Sequence, residues 1–283
     1  MRGAERMLAA IVGCIAVLLG GCTGAEVAEP PFDAMSGSRF VRVAPGEVAA
    51  AGAALDAPLW VMTTEVTRSE WRAFGGSETL GGNLCDDNCP VTAMTWGEAA
   101  AHANARSEAL GIAACYDLSG CREQQVSVPM VPGQRVRWRQ ALVCAESVAA
   151  RPACAGFRLP TRAEWQYLAR AGGAHDNAAC AGAGCEARGA AAVEAWSMEQ
   201  QAANGGLWLP YPAGWFWEPN GFGLRGFSDN ASEWVEAEEV RALGERCGDS
   251  YLPRGTSGSL ACDRLPVSGF SATTGLRLVR RAD

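Results

Sequence analysis

Lysine is absent from this sequence and histidine is scarce. Of the 283 residues, 24 are basic and all of these are arginines, and the two histidines are His102 and His175. Without a lysine amine, P-loop phosphate binding, Schiff-base chemistry and kinase-type ATP clamping are excluded. Two histidines also exclude a three-histidine metal site and an HExxH protease. The formal charge is −7 and no basic stripe stands out, so we expect no nucleic-acid partner.

The sequence also lacks an apolar run long enough to cross a bilayer, which needs about 20 residues. Near the N-terminus, Arg2 and Arg6 precede an uncharged run of 13 residues, and the chain then reads Leu19-Gly20-Gly21-Cys22. This pattern resembles a bacterial lipoprotein signal peptide, in which residues 1–21 are removed and Cys22 is lipidated. An ordinary secretory signal with a chance cysteine is the alternative.

Lipidation of Cys22 would anchor an exported protein in the lipid bilayer of the cell envelope, because each buried CH₂ contributes about 0.8 kcal/mol. Thr23 follows the cysteine, in place of the Asp that often retains such proteins on the inner membrane, so we expect the outer membrane. Residues 22–37 would form the lipid anchor and a flexible tether. Residues 38–283 remain as the folded domain.

Export would place the remaining cysteines in an oxidising compartment, where disulfides form. With Cys14 and Cys22 set aside, ten remain: Cys85, Cys89, Cys115, Cys121, Cys144, Cys154, Cys180, Cys185, Cys247 and Cys262. The even count favours disulfides over a zinc site, which would need shorter spacings and a reducing setting. The cysteines form five close couples along the chain, and we predict that neighbours pair, although spacing alone does not fix the connectivity.

Four capping-box patterns, each with an N-cap oxygen three residues before a Glu, predict helix starts. They begin at Thr67, Thr95, Thr161 and Asn230. The second precedes an Ala-rich stretch that we expect to end with Gly111 just past its last residue. Residues 59–66 are rich in β-forming residues and predict a strand before the first helix. Residues 171–192 are mostly Gly, Ala and Cys, and residues 204–230 are rich in Gly, Pro and Trp. These segments predict an irregular, Trp-rich domain held together by disulfides.

Six sequence blocks occur in an order typical of one family. They are residues 64–71 (TEVTRSEW), 90–99 (PVTAMTWGEA), 156–170 (GFRLPTRAEWQYLAR), 219–224 (PNGFGL), 229–234 (DNASEW) and 275–279 (GLRLV). On these blocks the chain resembles the formylglycine-generating enzyme, or sulfatase-modifying factor, family. The resemblance implies a single irregular α+β domain related to C-type lectins.

The resemblance also implies where a catalytic centre would lie. The family's enzymes follow a Gly-Gly-Ser segment with two cysteines five residues apart, which bind copper and activate oxygen to oxidise a sulfatase cysteine. Here the segment is Gly248-Asp249-Ser250-Tyr251, and the two cysteine positions fall on Pro253 and Gly258. Cys262 reaches the second position only with a short insertion. We therefore assign no catalytic residue beyond Ser250 and Cys262 as candidates, and we expect no copper.

Calcium is the family's other inorganic feature. Matching positions offer the carbonyl oxygens of Asp229 and Ala231 and the carboxylate of Glu233 as oxygen ligands for calcium. A further ligand position, three residues before Asp229, is occupied by Gly226. Glu233 also suits the capping role for a helix that starts at Asn230. Both roles of Glu233 stay open at the level of sequence.

Two further motifs favour structural roles. Residues 221–226 match GxGxxG, but residues 215–220 before them make a poor central strand, so we expect a turn and no nucleotide site. His102 falls in the Ala-rich helix, where the family packs an aromatic side chain, so we expect a core histidine.

The missing thiolates lead us to expect a catalytically silent domain that binds a ligand or serves as structure at the cell envelope. The alternative is a copper- and oxygen-dependent oxidase of protein cysteine with an altered centre. The expected binding surface is a groove between the Trp-rich segment 208–217 and the loop 250–262, because recognition usually lies on irregular loops. A peptide, a glycan or another envelope protein would be the partner.

Overall fold

The structure is a computed structural model, and it describes the chain in separate ranges. These are residues 40–49, 52–77, 85–128, 137–151, 153–173, 198–199, 201–203, 210–214, 219–227, 230–236, 242–251, 260–269 and 271–282. The predicted signal, Cys22 and the tether lie outside them, as do Cys180, Cys185, Asp229, Pro253, Gly258 and the tryptophans at 208, 215 and 217. Within these ranges, no helix has the length and apolar character needed to span a membrane.

The regular elements of the described residues are short. The helices are α1 (Arg68–Ala73), α2 (Trp96–Ala109) and α3 (Arg162–Ala169). The strands are β1 (Phe40–Val43), β2 (Gly46–Val48), β3 (Ala53–Leu55), β4 (Leu59–Met62), β5 (Cys121–Val128), β6 (Arg137–Cys144), β7 (Ser232–Val235), β8 (Leu243–Cys247), β9 (Cys262–Pro266), β10 (Thr274–Leu276) and β11 (Val279–Arg281). This composition confirms the α+β class predicted from the sequence.

Two small sheets and two hairpins organise the strands. One sheet has the order β1-β4-β11, with antiparallel neighbours. The other has the order β10-β7-β8-β9, in which β10 and β7 are parallel and the other pairs are antiparallel. Strands β2 and β3 form one hairpin, and β5 and β6 form a longer one. The first sheet therefore brings β11, near the C-terminus, next to β4, whereas the second sheet is built from strands that all follow residue 231.

Three of the four capping boxes start helices as predicted. At Thr67, Thr95 and Thr161 the side chain accepts the N–H of the Glu three residues on, and that Glu accepts the N-cap N–H. Helix α2 has its C-cap at Leu110, and Gly111 follows with φ +68°, a conformation that glycine adopts without the steric cost of a Cβ. The predicted strand before α1 is present as β4.

The fourth predicted helix, at Asn230, is wrong. Residues 232–235 form β7, which pairs with β10 on one side and β8 on the other. Asn230 has φ +65°, a left-handed conformation that a short amide side chain tolerates but an N-cap does not adopt. Its side chain bonds to distant residues, and Glu233 pairs with Arg277 instead of capping. Tertiary contacts thus override the local pattern.

Tryptophan side chains fill the core, in keeping with the sequence-based expectation. Trp96 and Trp234 are fully buried in one apolar cluster, and Trp165 is fully buried in a second cluster that includes Phe227. Trp138 on β6 is the contrast, with 61% of its surface exposed. Three large rings with no exposed surface explain how short, irregular elements enclose a packed interior.

Four disulfides lie within the described residues, and two of them correct the predicted pairing. They are Cys85–Cys89, Cys115–Cys154, Cys121–Cys144 and Cys247–Cys262. The first and last join sequence neighbours as predicted. The predicted pairs Cys115–Cys121 and Cys144–Cys154 are wrong, because hairpin register places Cys121 directly opposite Cys144. The resulting pairs are nested and brace the base of the β5–β6 hairpin. Cys180 and Cys185 lie outside the described residues.

Candidate functional site

Asn230 contacts both segments that were predicted to border a groove, the Trp-rich segment 208–217 and the loop 250–262. Its Oδ1 accepts the Tyr211 N–H at 3.0 Å, and its Nδ2 donates to Tyr211 O at 3.2 Å. The backbone carbonyl of Asn230 accepts the Tyr251 N–H at 3.0 Å. Residues 210–214 of the Trp-rich segment and residues 250–251 at the start of the loop are therefore both held by one buried residue.

Glu65 completes the anchoring of Asn230 from a distant part of the sequence. Asn230 Nδ2 donates to Glu65 Oε1 at 3.1 Å, and the Glu65 side chain is fully buried. A Cβ on Gly226, which has φ +78°, would lie 2.5 Å from Glu65 Oε2. The glycine at this family ligand position therefore leaves the space that the Glu65 carboxylate occupies. Sequence reasoning missed Glu65 because 165 residues separate it from Asn230.

Glu233 lies in a fully buried ion pair. Arg277 Nη2 lies 2.8 Å from Glu233 Oε1, and neither side chain has exposed surface. Trp165 Nε1 donates to Glu233 Oε2 at 2.7 Å, and Arg277 Nη1 donates to Met62 O at 2.9 Å. Burial raises the pKa of Glu233, and Arg277 together with the Trp165 N–H opposes that rise. The charged network connects α3, β4, β7 and the short segment between β10 and β11.

This pairing bears on the predicted calcium site. Both Glu233 oxygens already accept hydrogen bonds, and the adjacent Arg277 guanidinium would repel a divalent cation. Ala231 is buried, and Asp229 lies outside the described residues. In the part of the chain that the structure describes, no three His, Cys, Asp or Glu side chains come together as a metal site. The Glu233 carboxylate does not fit a calcium ligand here, and calcium binding stays an untested prediction.

Cys262, the first of the two catalytic candidates, has no free thiol. It is opposite Cys247 in the β8–β9 register and bonded to it, with Cα atoms 4.0 Å apart. Gln166 Nε2 lies 3.4 Å from the Cys262 sulfur. A sulfur in a disulfide is not the thiolate that a soft metal or a nucleophilic step requires.

Ser250, the second candidate, lies near the other end of the same loop. Its hydroxyl is buried and has no hydrogen-bond partner among the described residues. Activation of a serine needs a base within hydrogen-bond reach. No described residue gives Ser250 such a base.

The remaining sequence motifs have the structural roles expected for them. The GxGxxG segment is a turn in which Asn220 Oδ1 accepts the N–H groups of Phe222 and Leu224 at 3.0 and 3.1 Å. His102 is a buried residue of α2, and its ring stacks on Trp71 with centroids 4.8 Å apart. Burial, with a smaller contribution from Arg106, lowers the pKa of His102 to about 3.

Comparison with solved structures places this architecture among known folds. The crystal structure of CarF shares 23% sequence identity with the chain, with coverage of 87% of this chain and 99% of CarF and a TM-score of 0.53. Treponema denticola variable protein 1 is 18% identical, with coverage of 87% and 95% and a TM-score of 0.55. These likenesses show the fold.

Family comparison gives the more specific result. No curated protein sequence is similar enough to count as a match. A family model described as the sulfatase-modifying factor enzyme 1-like domain matches residues 33–282. That range includes every element and disulfide described above. The chain therefore belongs to the sulfatase-modifying factor family, through a domain that spans almost its whole length.

Proposed function

We propose that the domain is catalytically silent and acts as a binding or structural module at the cell envelope. The observation that supports this most strongly is the state of Cys262, the candidate nearest in sequence to the family's copper-binding positions. It is locked in a disulfide with Cys247, and the ungapped positions hold Pro253 and Gly258. Without a pair of thiolates, the family's copper and oxygen chemistry has no ligands.

The other cysteines of the described chain offer no substitute pair. All eight are in disulfides, which also indicates a domain that folds in an oxidising compartment outside the cytoplasm. Cys180 and Cys185 lie outside the described residues, and we propose that they too are bonded to each other. A domain that keeps the family fold without the reactive sulfurs is suited to a binding or structural role.

We propose that the binding surface is the groove between the Trp-rich segment 208–217 and the loop 250–262. Asn230 holds both segments, and the Glu233–Arg277 pair lies in β7 and the segment that β10 leads into. A rigid base of this kind lowers the entropic cost of ordering loops when a ligand binds. A peptide, a glycan or another envelope protein is the class of partner we propose.

A formylglycine assay tests the silent-domain proposal. The mature domain is incubated with copper(I), oxygen and a sulfatase-type cysteine peptide, beside an active family enzyme as positive control and a no-protein blank. Mass spectrometry of the peptide measures formylglycine. We expect the yield to equal that of the blank. Formylglycine above the blank would overturn the proposal in favour of an oxidase with an altered centre.

We also propose that Cys22 carries a lipid that anchors the protein. The support is the Leu19-Gly20-Gly21-Cys22 sequence after an apolar run, together with a family match that begins after it, at residue 33. Cys22→Ser should move the protein from the membrane to the soluble fraction, whereas Cys14→Ser, a matched change inside the signal, should not. Unchanged fractionation of C22S would contradict lipidation.

A further inference from the structure

A cavity lies beside the disulfide-braced β5–β6 hairpin. It has a volume of about 360 Å³ and lies between the end of α1, the middle of α2 and one face of β5–β6. The residues that carry the argument are Trp71, Phe74, His102, Glu123, Gln140 and Ala105. The volume is at the lower end of small-molecule sites, so it suits a ligand of one ring and a short side chain.

His102 is the unusual group in the wall of this cavity. It is 3% exposed, and neither ring nitrogen has a hydrogen-bond partner among the described residues. Trp71 stacks on one face of the ring and Phe74 meets it edge-on at 5.7 Å. A buried polar atom without a partner costs about 1–3 kcal/mol, so a ligand that bonds to His102 would recover that energy. With its pKa lowered to about 3, the imidazole is neutral and offers one nitrogen as an acceptor.

Among the other polar side chains that line the cavity, the carboxylates of Glu98 and Glu123 only accept hydrogen bonds, whereas the Gln140 amide and the Ser77 hydroxyl can also donate them. Glu123 and Gln140 line it from the hairpin and are both exposed, so they lie at the rim. Glu98 lies in the wall, but Arg139 Nη2 already donates to it at 2.7 Å. No Arg side chain is among the described residues that line the cavity. The cavity thus has aromatic and small-residue walls, a neutral imidazole inside and, at its mouth, a carboxylate with no ion-pair partner among the described residues.

We propose that this cavity binds a small organic amine with a single aromatic ring as its body. The ring packs against Phe74, the edge of Trp71 and the alanines of α2. The N–H groups donate to the His102 acceptor nitrogen or to Gln140, and Glu123 balances the positive charge. Arg106, which lies over the Phe74 ring, does not line the cavity and interacts with the Glu70 carboxylate, so an anion of the same shape would face Glu123 with no cation among the described lining residues. The proposal is independent of the function proposed above, because it uses a different surface.

A matched set of three probes tests the charge and hydrogen-bond requirements. Phenethylamine, 2-phenylethanol and phenylacetate share one ring and one short chain and differ in the head group. Calorimetric titration of the mature, oxidised domain should show phenethylamine binding about tenfold more tightly than 2-phenylethanol and no measurable binding of phenylacetate. Equal binding of phenylacetate and phenethylamine, or no binding of phenethylamine at millimolar concentration, would overturn the proposal.

Variants of the lining residues locate the binding. Ala105→Leu should abolish phenethylamine binding by filling the cavity, and Glu123→Gln should weaken it several-fold and remove its salt dependence. His102→Phe keeps the ring stack and removes the acceptor, so it should weaken the amine more than the alcohol. Glu47→Gln, on β2, is the matched charge control and should change nothing. If A105L and E123Q fold with unchanged circular dichroism and bind phenethylamine as the wild type does, the site is elsewhere and the proposal is wrong.

Discussion

Polar side chains are buried both in the Asn230–Glu233–Arg277 network and at the His102 cavity. They differ in whether their hydrogen-bonding groups have partners. In the network, both Glu233 oxygens and the Asn230 amide have partners that come from distant parts of the chain. In the cavity, both nitrogens of His102 lack a partner among the described residues. Satisfied polar groups fix the fold, whereas an unsatisfied group beside open space is available to a ligand. Residues 248–251, the described start of the segment that resembles the family's catalytic region, are hydrogen-bonded to this network through Asn230.

The largest expected effect comes from breaking the buried ion pair. Arg277→Leu leaves Glu233 as an uncompensated buried charge, so the free energy of unfolding should fall by about 3–5 kcal/mol. Urea denaturation followed by tryptophan fluorescence measures the change.

Arg72→Leu is the matched control for that variant. It removes an arginine from the Arg72–Asp87 pair, whose side chains are 38% and 67% exposed, so it should change stability little. Equal losses for R277L and R72L would show that the Glu233–Arg277 pair does not stabilise the domain as argued.

The nested disulfides should matter more than the local one. Cys115–Cys154 closes a separation of 39 residues and Cys85–Cys89 a separation of 4. Because Cys121–Cys144 stays closed, Cys115–Cys154 closes only about 16 further residues, so on chain-entropy grounds replacing that pair with Ala should cost about 3 kcal/mol, and replacing Cys85–Cys89 about 2 kcal/mol. Thermal unfolding of C115A/C154A and C85A/C89A under non-reducing conditions measures both. The reverse order would count against the nested connectivity.

His102 should make the domain sensitive to acid in a defined window. The unfolded chain takes up a proton near pH 6.5, whereas the folded chain does so near pH 3, because burial and Arg106 lower the pKa of His102. Between these values the unfolded state holds more protons, so stability falls as the pH falls. From pH 6.5 to 4.5 this contribution is at most about 2.7 kcal/mol.

His102→Phe isolates that contribution, because the other charged side chains, including Glu70 and Arg106 nearby, are the same in both proteins. As the pH is lowered from 6.5 to 4.5, the wild type should lose more unfolding free energy than H102F, so the variant becomes more stable relative to the wild type. A difference that stays constant over this range would mean that His102 is not excluded from protonation in the folded state.

Substitutions at two glycines should change the free energy of unfolding by smaller amounts. Gly226 has φ +78° and faces Glu65, so Gly226→Ala combines backbone strain with a collision and should cost about 2–3 kcal/mol. Gly52 has φ +59° and no atom within 4 Å of the position that a Cβ would take, so Gly52→Ala should cost only about 1 kcal/mol of strain. Chemical denaturation of the two variants side by side measures the excess, and no excess at Gly226 would contradict the close packing of Glu65.

The local part of the fold was predictable from the sequence. The Thr67, Thr95 and Thr161 boxes are each contained within four residues, so the sequence shows where these helices start. The order of the six sequence blocks indicated the family that the match over residues 33–282 confirms. The turn at Gly221 was predictable for the same local reason.

The long-range part was not predictable, because its determinants are far apart in the chain. The pattern at Asn230 is the same as at Thr95, yet Arg277 and β10 turn it into a strand. Pairing of Cys121 with Cys144 depends on the hairpin register, which the spacing of cysteines does not contain. The cavity at His102 needs α1, α2 and the hairpin together, so no single segment shows it.

The central claim, that the reactive sulfurs of the family are lost, is tested most directly by counting thiols on the mature domain. Purified protein is denatured without reductant, alkylated with iodoacetamide, digested and mapped by mass spectrometry. The account predicts a cross-linked peptide pair containing Cys247 and Cys262 and no alkylated cysteine among the eight described. Alkylation of Cys262 and Cys247, with retention of copper(I) by the native protein, would contradict it.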